Sequence, residues 1–353
     1  MESIQKLAES QASDVRGATN GTTYGLEPIQ FLKEVVDGAK TQLFFTNFVT
    51  QITAPTGIHD VVIPKRTIYE GASGMSFDTT ERVAADISWT TLDNLSSVIA
   101  TPTPVIAGYA ISNFALRTNS VNLLKAARDE LSYAIGDRVD KAIATAIGDA
   151  TVATNAVRGA QTLYGGDATS AATLEAGDVI TTDLVAKAAR YLKDTNMYYR
   201  ASGAYGTETL SAVSKNPWSN DNSEPFVLFV GPAQEETFRK DSQFVNAAEY
   251  GSNKVIMNGE IGEYLGIKII TTTNVEGTAA SGTAPDGTTA AVACTRCIMM
   301  KAKRAAALVW GQKPEIKVFD YPTRDQTRIS LVSAYAIKVV QDDAIVFVDV
   351  SLV

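Results

Sequence analysis

The residues of this chain best suited to chemistry are its two cysteines and its single histidine. Cys294-Thr295-Arg296-Cys297 has the CxxC spacing of half a zinc ribbon or of a dithiol redox pair. A structural zinc site needs four ligands, yet there is no second cysteine pair and His59 lies far away in sequence. A thioredoxin-like CxxC opens a helix after a strand, whereas the apolar run 291–300 reads as a strand passing through the motif. The thiols are therefore expected to be separate and buried; a cysteine of low pKa would instead favour a redox enzyme. One histidine rules out sites built from two imidazoles and leaves any Ser-His or Cys-His catalyst resting on His59.

The other candidates have plainer explanations. Gly259-Glu260-Ile261-Gly262-Glu263-Tyr264-Leu265-Gly266 fits neither GxGxxG nor the phosphate loop with its Lys-Ser/Thr, and it precedes a strand. Asp342 and Asp343 sit on a predicted turn, where solvated turn chemistry accounts for them. Glu235 and Glu236 fall in a helix's first turn, where negative charge suits the dipole. Asn20-Gly21-Thr22 and Asn94-Leu95-Ser96 match the glycosylation pattern without any sign of export. Nothing assembles a nucleophile, a base and an orienting partner. The expectation is a protein that is not an enzyme, with no catalytic residues, no cofactor and no metal.

At 353 residues the chain is long enough for about two domains, and 45% hydrophobic with 20% charged residues is ordinary globular material. Its net charge of -8, from 39 carboxylates against 31 basic residues, argues against a protein whose main work is gripping phosphates. No apolar run approaches the roughly 18 residues of a membrane span. Met1-Glu2-Ser3-Ile4-Gln5 lacks the basic-then-apolar pattern of a secretory signal, so a chain made and used in the cytoplasm is expected.

Residues 1–27 are polar and rich in small side chains, an arm expected to order only against something else. Pro28 opens a short helix over 29–40 carrying Ile29, Leu32, Val35 and Val36, and residues 43–52 are β-prone. Residues 61–95 read as two long strands around a flexible tip. Val61-Val62-Ile63 leads out past Lys65, Arg66 and Ile68; Gly71-Ala72-Ser73-Gly74 turns the chain before Phe77; Val83, Ala85, Ile87 and Trp89 alternate on the return. A two-stranded ribbon is marginal alone in water. Its length implies a second subunit beneath it, the alternative being a hairpin folded back on its own domain.

Residues 120–150 carry the strongest helical pattern, with Leu123, Ala127, Leu131, Ile135, Val139, Ile143 and Ile147 at four-residue steps. About 30 residues at 1.5 Å each give roughly 45 Å. The stripe drifts about 40° per step, so the helix must be covered from several sides. Gly136 sits mid-helix, where glycine costs about 0.5–1 kcal/mol against alanine. It is expected to be a hinge, the rival reading being close packing against another backbone. Thr181 or Thr182 caps a helix over 183–194; Phe226-Val227-Leu228-Phe229-Val230 is a buried strand stopped by Gly231-Pro232; a helix follows over 234–240. This alternation marks an α/β unit. Residues 264–271 form another strand, and 277–289 an exposed loop around Pro285-Asp286-Gly287. Strands at 305–310, 315–321, 328–340 and 344–350 close the chain, with Gln341-Asp342-Asp343 turning the last pair into a hairpin.

In that order of elements the chain resembles the capsid proteins of the Hong Kong ninety-seven lineage, the shell fold of tailed phages and their archaeal relatives. Phe229-Val230-Gly231-Pro232 with residues 234–241 and Ser242-Gln243-Phe244 resembles the strand, break and helix of that family's axial domain. Asn258-Gly259-Glu260-Ile261-Gly262 through Leu265-Gly266-Ile267-Lys268-Ile269-Ile270 resembles its G-x-x-G, strand and apical loop. Lys303-Arg304-Ala305-Ala306-Ala307-Leu308-Val309-Trp310 through Ile345-Val346-Phe347-Val348 resembles its C-terminal strands.

The resemblance implies an α+β fold: an N-terminal arm (1–27), the first helix and strand of a peripheral domain (28–60) and an extended β-hairpin loop (61–95). The peripheral domain continues with a long spine helix (96–150), followed by an α/β axial domain (151–308) and C-terminal strands returning to the peripheral domain (309–353). The implied function is that of a major capsid protein, self-assembling into hexamers and pentamers of an icosahedral virion shell. That shell would enclose double-stranded DNA without sequence-specific binding and be assembled in the host cytoplasm without a membrane. Portal and cement proteins are implied partners. Many relatives begin with a long cleaved scaffold helix, whereas only a short arm precedes the first helix here, so scaffolding is expected to be a separate protein or absent. A cargo-holding nanocompartment of the same fold is the alternative; a tail or adhesin protein would form fibres or tubes instead.

Some relatives weld their shells by a lysine–asparagine isopeptide bond with the lysine on the extended loop. Here the turn over 71–75 has no lysine, and Lys65 lies near the base beside Pro64 and Arg66. The implied shell is non-covalent, with Lys65, Arg66, Ile68, Gly71, Gly74, Phe77, Val83, Ile87 and Trp89 at the inter-subunit interface.

Overall fold

The structure is a computed structural model that describes residues 44–55, 57–66, 95–118, 122–148, 161–193, 196–200, 210–214, 218–240, 263–275 and 277–352. The arm, the helix expected at 29–40 and the outer part of the extended loop lie outside these residues.

A single helical turn, α1 (Phe45–Phe48), stands where β propensity pointed to a strand, and extended backbone begins only at β1 (Thr50–Thr53). A distant carboxylate makes the difference. Asp140 accepts hydrogen bonds from the Thr46 N–H at 3.2 Å and from Thr46 Oγ1 at 3.4 Å, which satisfies donors a lone turn would leave free. The ribbon strands β2 (Val61–Arg66) and β3 (Leu95–Ala100) follow, then β4 (Thr103–Ser112) and the short helix α2 (Asn113–Thr118). Next is the long helix α3 (Leu123–Gly148), whose first turn is capped by Asn122 Oδ1 accepting from the Lys125 N–H. It buries the anticipated stripe: Ala127, Leu131, Ile135, Val139, Ile143 and Ile147.

After β5 (Gln161–Tyr164), helix α4 (Thr182–Lys193) opens on Thr181, whose Oγ1 accepts from the Leu184 N–H at 3.2 Å. A separate hairpin, β6 (Asn196–Arg200) and β7 (Leu210–Ser214), leads to β8 (Phe226–Val230) and helix α5 (Pro232–Lys240). The remaining strands are β9 (Glu263–Tyr264), β10 (Ile267–Thr271), β11 (Gly277–Thr278), β12 (Cys294–Lys301), β13 (Ala306–Tyr321), β14 (Gln326–Val339) and β15 (Ile345–Ser351).

Two main sheets share one core. The first has four strands in the order β1-β13-β14-β4; the second is seven-stranded and mixed, β5-β15-β12-β8-β10-β9, with β11 against β12. Leu308, Trp310, Ile329, Leu331 and Tyr335 from the first sheet meet the α3 stripe together with Val227, Phe229, Ile298 and Phe347 from the second. The drifting stripe is thus covered from several sides. The opposite face of the seven-stranded sheet, through Leu228, Val230, Met299 and Val348, packs on Val185, Ala188 and Leu192 of α4 and on Phe238 of α5.

Five sequence expectations need correction. Gln341-Asp342-Asp343 does not join β14 and β15 into a hairpin: the strands lie in different sheets, so residues 309–353 divide between the two sheets and do not return to one unit. The burial patterns explain this. β14 alternates buried and half-buried positions as a sheet with one open face requires, whereas every residue of β15 is buried because its sheet is covered on both faces. Asp343 at that crossover is buried, not solvated. The strand expected at 264–271 is a β9–β10 hairpin turned by Leu265 and Gly266 at φ 51° and 76°. The 277–289 segment is not a bare exposed loop: its Ala284 is buried with the adjoining Ala290 and with Ala171, Leu174 and Cys294 in a small core of their own. Finally, 305–310 and 315–321 are one strand, β13, bent by register shifts between Trp310 and Glu315.

Candidate assembly surface

The base of the ribbon has two unlike faces. Val61 and Ile63 on β2, with Ala100 on β3, pack against Ala54, Ile52, Val309 and Ala336, so one face is seated on the chain's own four-stranded sheet. On the other face Val62 and Ile99 stand directly opposite each other across the ribbon, and each is 56% exposed. Leaving such side chains half in water forgoes roughly 1–1.5 kcal/mol each, about half of what full burial is worth. The signal was in the sequence: Val61-Val62-Ile63 is apolar at consecutive positions, which a half-buried strand does not need.

The four-stranded sheet repeats the theme. Ile329, Leu331 and Tyr335 point to α3, which places the intervening residues on the far face. Ile106 pairs with Val332 and Phe319 with Arg328, so both belong to that far face; Ile106 is 70% exposed. Arg328 lies over the Tyr321 ring at 4.0 Å. Phe114 at the start of α2 is 71% exposed, and Asn113 beside it ties α2 to the β13–β14 tip through Asp325 Oδ1 at 2.8 Å and Thr327 Oγ1 at 2.9 Å.

Of the expected interface residues, Lys65 and Arg66 lie on the anchored base, opposite Ser96 and Leu95. Ile68, Gly71, Gly74, Phe77, Val83, Ile87 and Trp89 lie outside the described residues. Gly136 is half-buried within α3, which runs through it without interruption.

Residues 97–348 match the model of a family described as phage capsid protein. The chain belongs to the phage capsid protein family. No curated protein matches the sequence. Among solved structures, the capsid of cyanophage P-SCSP1u aligns over 94% of this chain and 96% of its own, with TM-score 0.64 and 13% identity. The capsid of Helicobacter pylori bacteriophage KHP30 aligns over 96% and 100%, with TM-score 0.64 and 10% identity. A capsid of an empty GTA particle gives 95% and 100%, TM-score 0.59 and 11% identity. The fold of this capsid protein is the α+β tailed-phage capsid fold.

In the capsid protein the CxxC is buried strand. Cys297 belongs to the core under α4 and Cys294 to the small core of the 277–292 segment. Burial pushes the Cys297 thiol up to about 12 and raises Cys294 as well, so neither is poised as a thiolate. The residue between them matters more. Arg296 donates to Asp349 through Nε at 2.8 Å and Nη2 at 2.7 Å, and through Nη1 to the Gly148 carbonyl at 3.2 Å; its guanidinium lies 4.6 Å from the Phe347 ring centre. The end of α3 is thereby fastened to β12 and β15. Burial works against both charges: it lifts the Asp349 carboxyl, while for Arg296 the two bonds to Asp349 outweigh it and raise the guanidinium's pKa. The bidentate geometry decides between these opposed pulls in favour of the ionised pair. The sequence signal for this pair is a lone Arg in one apolar strand and a lone Asp in another.

Proposed function

We propose that this capsid protein assembles with copies of itself into hexamers and pentamers that close an icosahedral shell around double-stranded viral DNA. The observation that carries this reading is the two-faced ribbon base, anchored on its own sheet and presenting Val62 and Ile99 outward. Rings of one repeated chain need heterologous contacts, in which a surface on each copy meets a different surface on the next. An outward apolar ribbon and the uncovered sheet face around Ile106 and Phe319 supply two such unlike surfaces. The net charge of -8 fits a container that encloses DNA without sequence-specific binding. Assembly takes place in the host cytoplasm, with portal and cement proteins as partners.

Substituting Val62→Asp together with Ile99→Asp tests the reading. The variant is expected to give folded subunits with unchanged circular dichroism that sediment without forming closed particles. Closed shells at wild-type yield from the double variant would contradict the proposal.

A further inference from the structure

The four-stranded sheet has two free edges, and they are built differently. On one side β1 covers β13 only from Ala307 to Trp310. Beyond that point the β13 edge carries Lys313, Pro314, Glu315, Lys317 and Asp320, and its register shifts between Trp310 and Glu315. Charge, proline and irregular pairing are the devices that keep an exposed edge from recruiting another chain. On the other side β4 pairs with β14 without interruption, from Thr103 opposite Tyr335 to Ser112 opposite Gln326. No described strand pairs with the outer edge of β4. Thr103–Ser112 holds no charged residue, its single proline, Pro104, stands at the start, and all but Val105 and Ile111 are exposed. One edge of the sheet is protected; the other is left open to accept a strand.

The strand that fits it best is its own copy. Among the described residues no other strand offers ten uncharged positions at a free edge: β1 and β5 have four residues, β6 and β7 five, β2 and β3 six, and β9 two. Two identical edges meet about a two-fold axis normal to the sheet, which keeps each face on its own side. Opposite residues of an antiparallel pair share a face, so the axis must pass through a residue and not between two. Centred on Gly108, it sets bulky side chains against small ones. Ile106, 70% exposed, then faces Ala110 of the partner subunit, and Tyr109, 41% exposed, faces Ala107 of the partner subunit.

We propose that β4 pairs antiparallel with β4 of a second copy across a two-fold axis at Gly108, joining two four-stranded sheets into one. The inference rests on the assembly reading above and adds a second kind of contact to it. Contacts within a ring are heterologous, whereas a two-fold contact between neighbouring rings uses the same patch on both copies.

Cross-linking tests the pairing. Wild-type and Ala107→Cys chains are assembled into shells and treated with a short bis-maleimide. Cys294 and Cys297 are both buried, so wild-type shells are expected to run as monomer on a denaturing gel. Ala107→Cys shells are expected to give a dimer band, because diagonal positions about the axis lie about 7–8 Å apart. Closed Ala107→Cys shells without that band would overturn the pairing while leaving the shell-forming reading intact; a wild-type chain that builds no shell would overturn both. Should Ala107→Cys not assemble, hydrogen exchange on the wild-type protein decides: amides of residues 105–111 are expected to exchange several-fold more slowly in shells than in free subunits, and unchanged exchange would overturn the pairing. Slowed exchange in shells whose Ala107→Cys counterpart gives no dimer would assign the edge to another strand, such as residues 83–89 of a neighbouring copy, and overturn it likewise.

Discussion

Arg296 and Asp349 meet where β12, β15 and the last turn of α3 converge, and their burial sets the cost of disturbing them. Removing one partner of a buried pair strands the other charge, which costs about 3–5 kcal/mol, whereas removing both in favour of apolar groups is close to neutral. Arg296→Met is therefore expected to lower unfolding stability by that amount, and Asp349→Leu in the same chain to restore most of it, as measured by denaturant unfolding of the subunit. A loss under about 1 kcal/mol, the value of an exposed pair, would show that the pair is not desolvated in solution. Asp286 gives the pH counterpart. Burial alone would raise its carboxyl, but bonds from the Ala171 N–H, the Thr288 hydroxyl and N–H, and the Tyr164 hydroxyl outweigh that and hold its pKa below the usual value. A depressed folded pKa contributes stability that is present above the unfolded value of about 3.9 and is lost as pH falls through the folded one. Hydrogen exchange at Ala171 and Thr288 should accordingly rise as pH drops below about 4, corrected for intrinsic rates, and the Asp286→Asn protein should lose that dependence. Neither arrangement follows from composition or spacing, because Arg296 and Asp349 lie 53 residues apart and Asp286 reaches Ala171 and Tyr164 across 115 and 122 residues.

Among the elements, α3 was the most legible, since one face of a helix with tertiary cover on several sides leaves a strict four-residue stripe. We propose that Gly136 is where this helix bends between shell positions or maturation states. Gly136→Ala removes a glycine that costs about 0.5–1 kcal/mol in a helix, so the subunit should gain stability while shell expansion slows, as followed by the change in particle diameter. Normal expansion with the bend located elsewhere would leave Gly136 as a packing residue only. The C-terminal strands are legible in the sequence, but their pairing is not. Ile345-Val346-Phe347-Val348 is a continuous apolar run and β14 alternates, a contrast that distinguishes a strand covered on both faces from one covered on one. The short connection over 341–343 points to a hairpin, whereas the burial pattern separates the two strands. The α1 turn and the small core under Asp286 were beyond reach, because the carboxylates that organise them act across the fold.

Across the described residues, the chain packs a core between two sheets and smaller cores beside it, yet leaves apolar side chains exposed on the ribbon base and on the far face of the four-stranded sheet. A stable monomer has no use for that arrangement; a subunit of a shell has. The anchored position of Lys65, opposite Ser96 within the ribbon base, fits contacts made without a covalent weld. Boiled mature particles are expected to run as one band at the monomer mass on a denaturing gel, and a ladder of multimers would show cross-linking. What the purified chain builds, alone or with a scaffolding protein, decides whether it is a shell subunit. Electron microscopy of the expressed protein is expected to show closed, icosahedrally symmetric shells of six- and five-fold rings, while fibres, tubes or dispersed monomers under assembly conditions would contradict it.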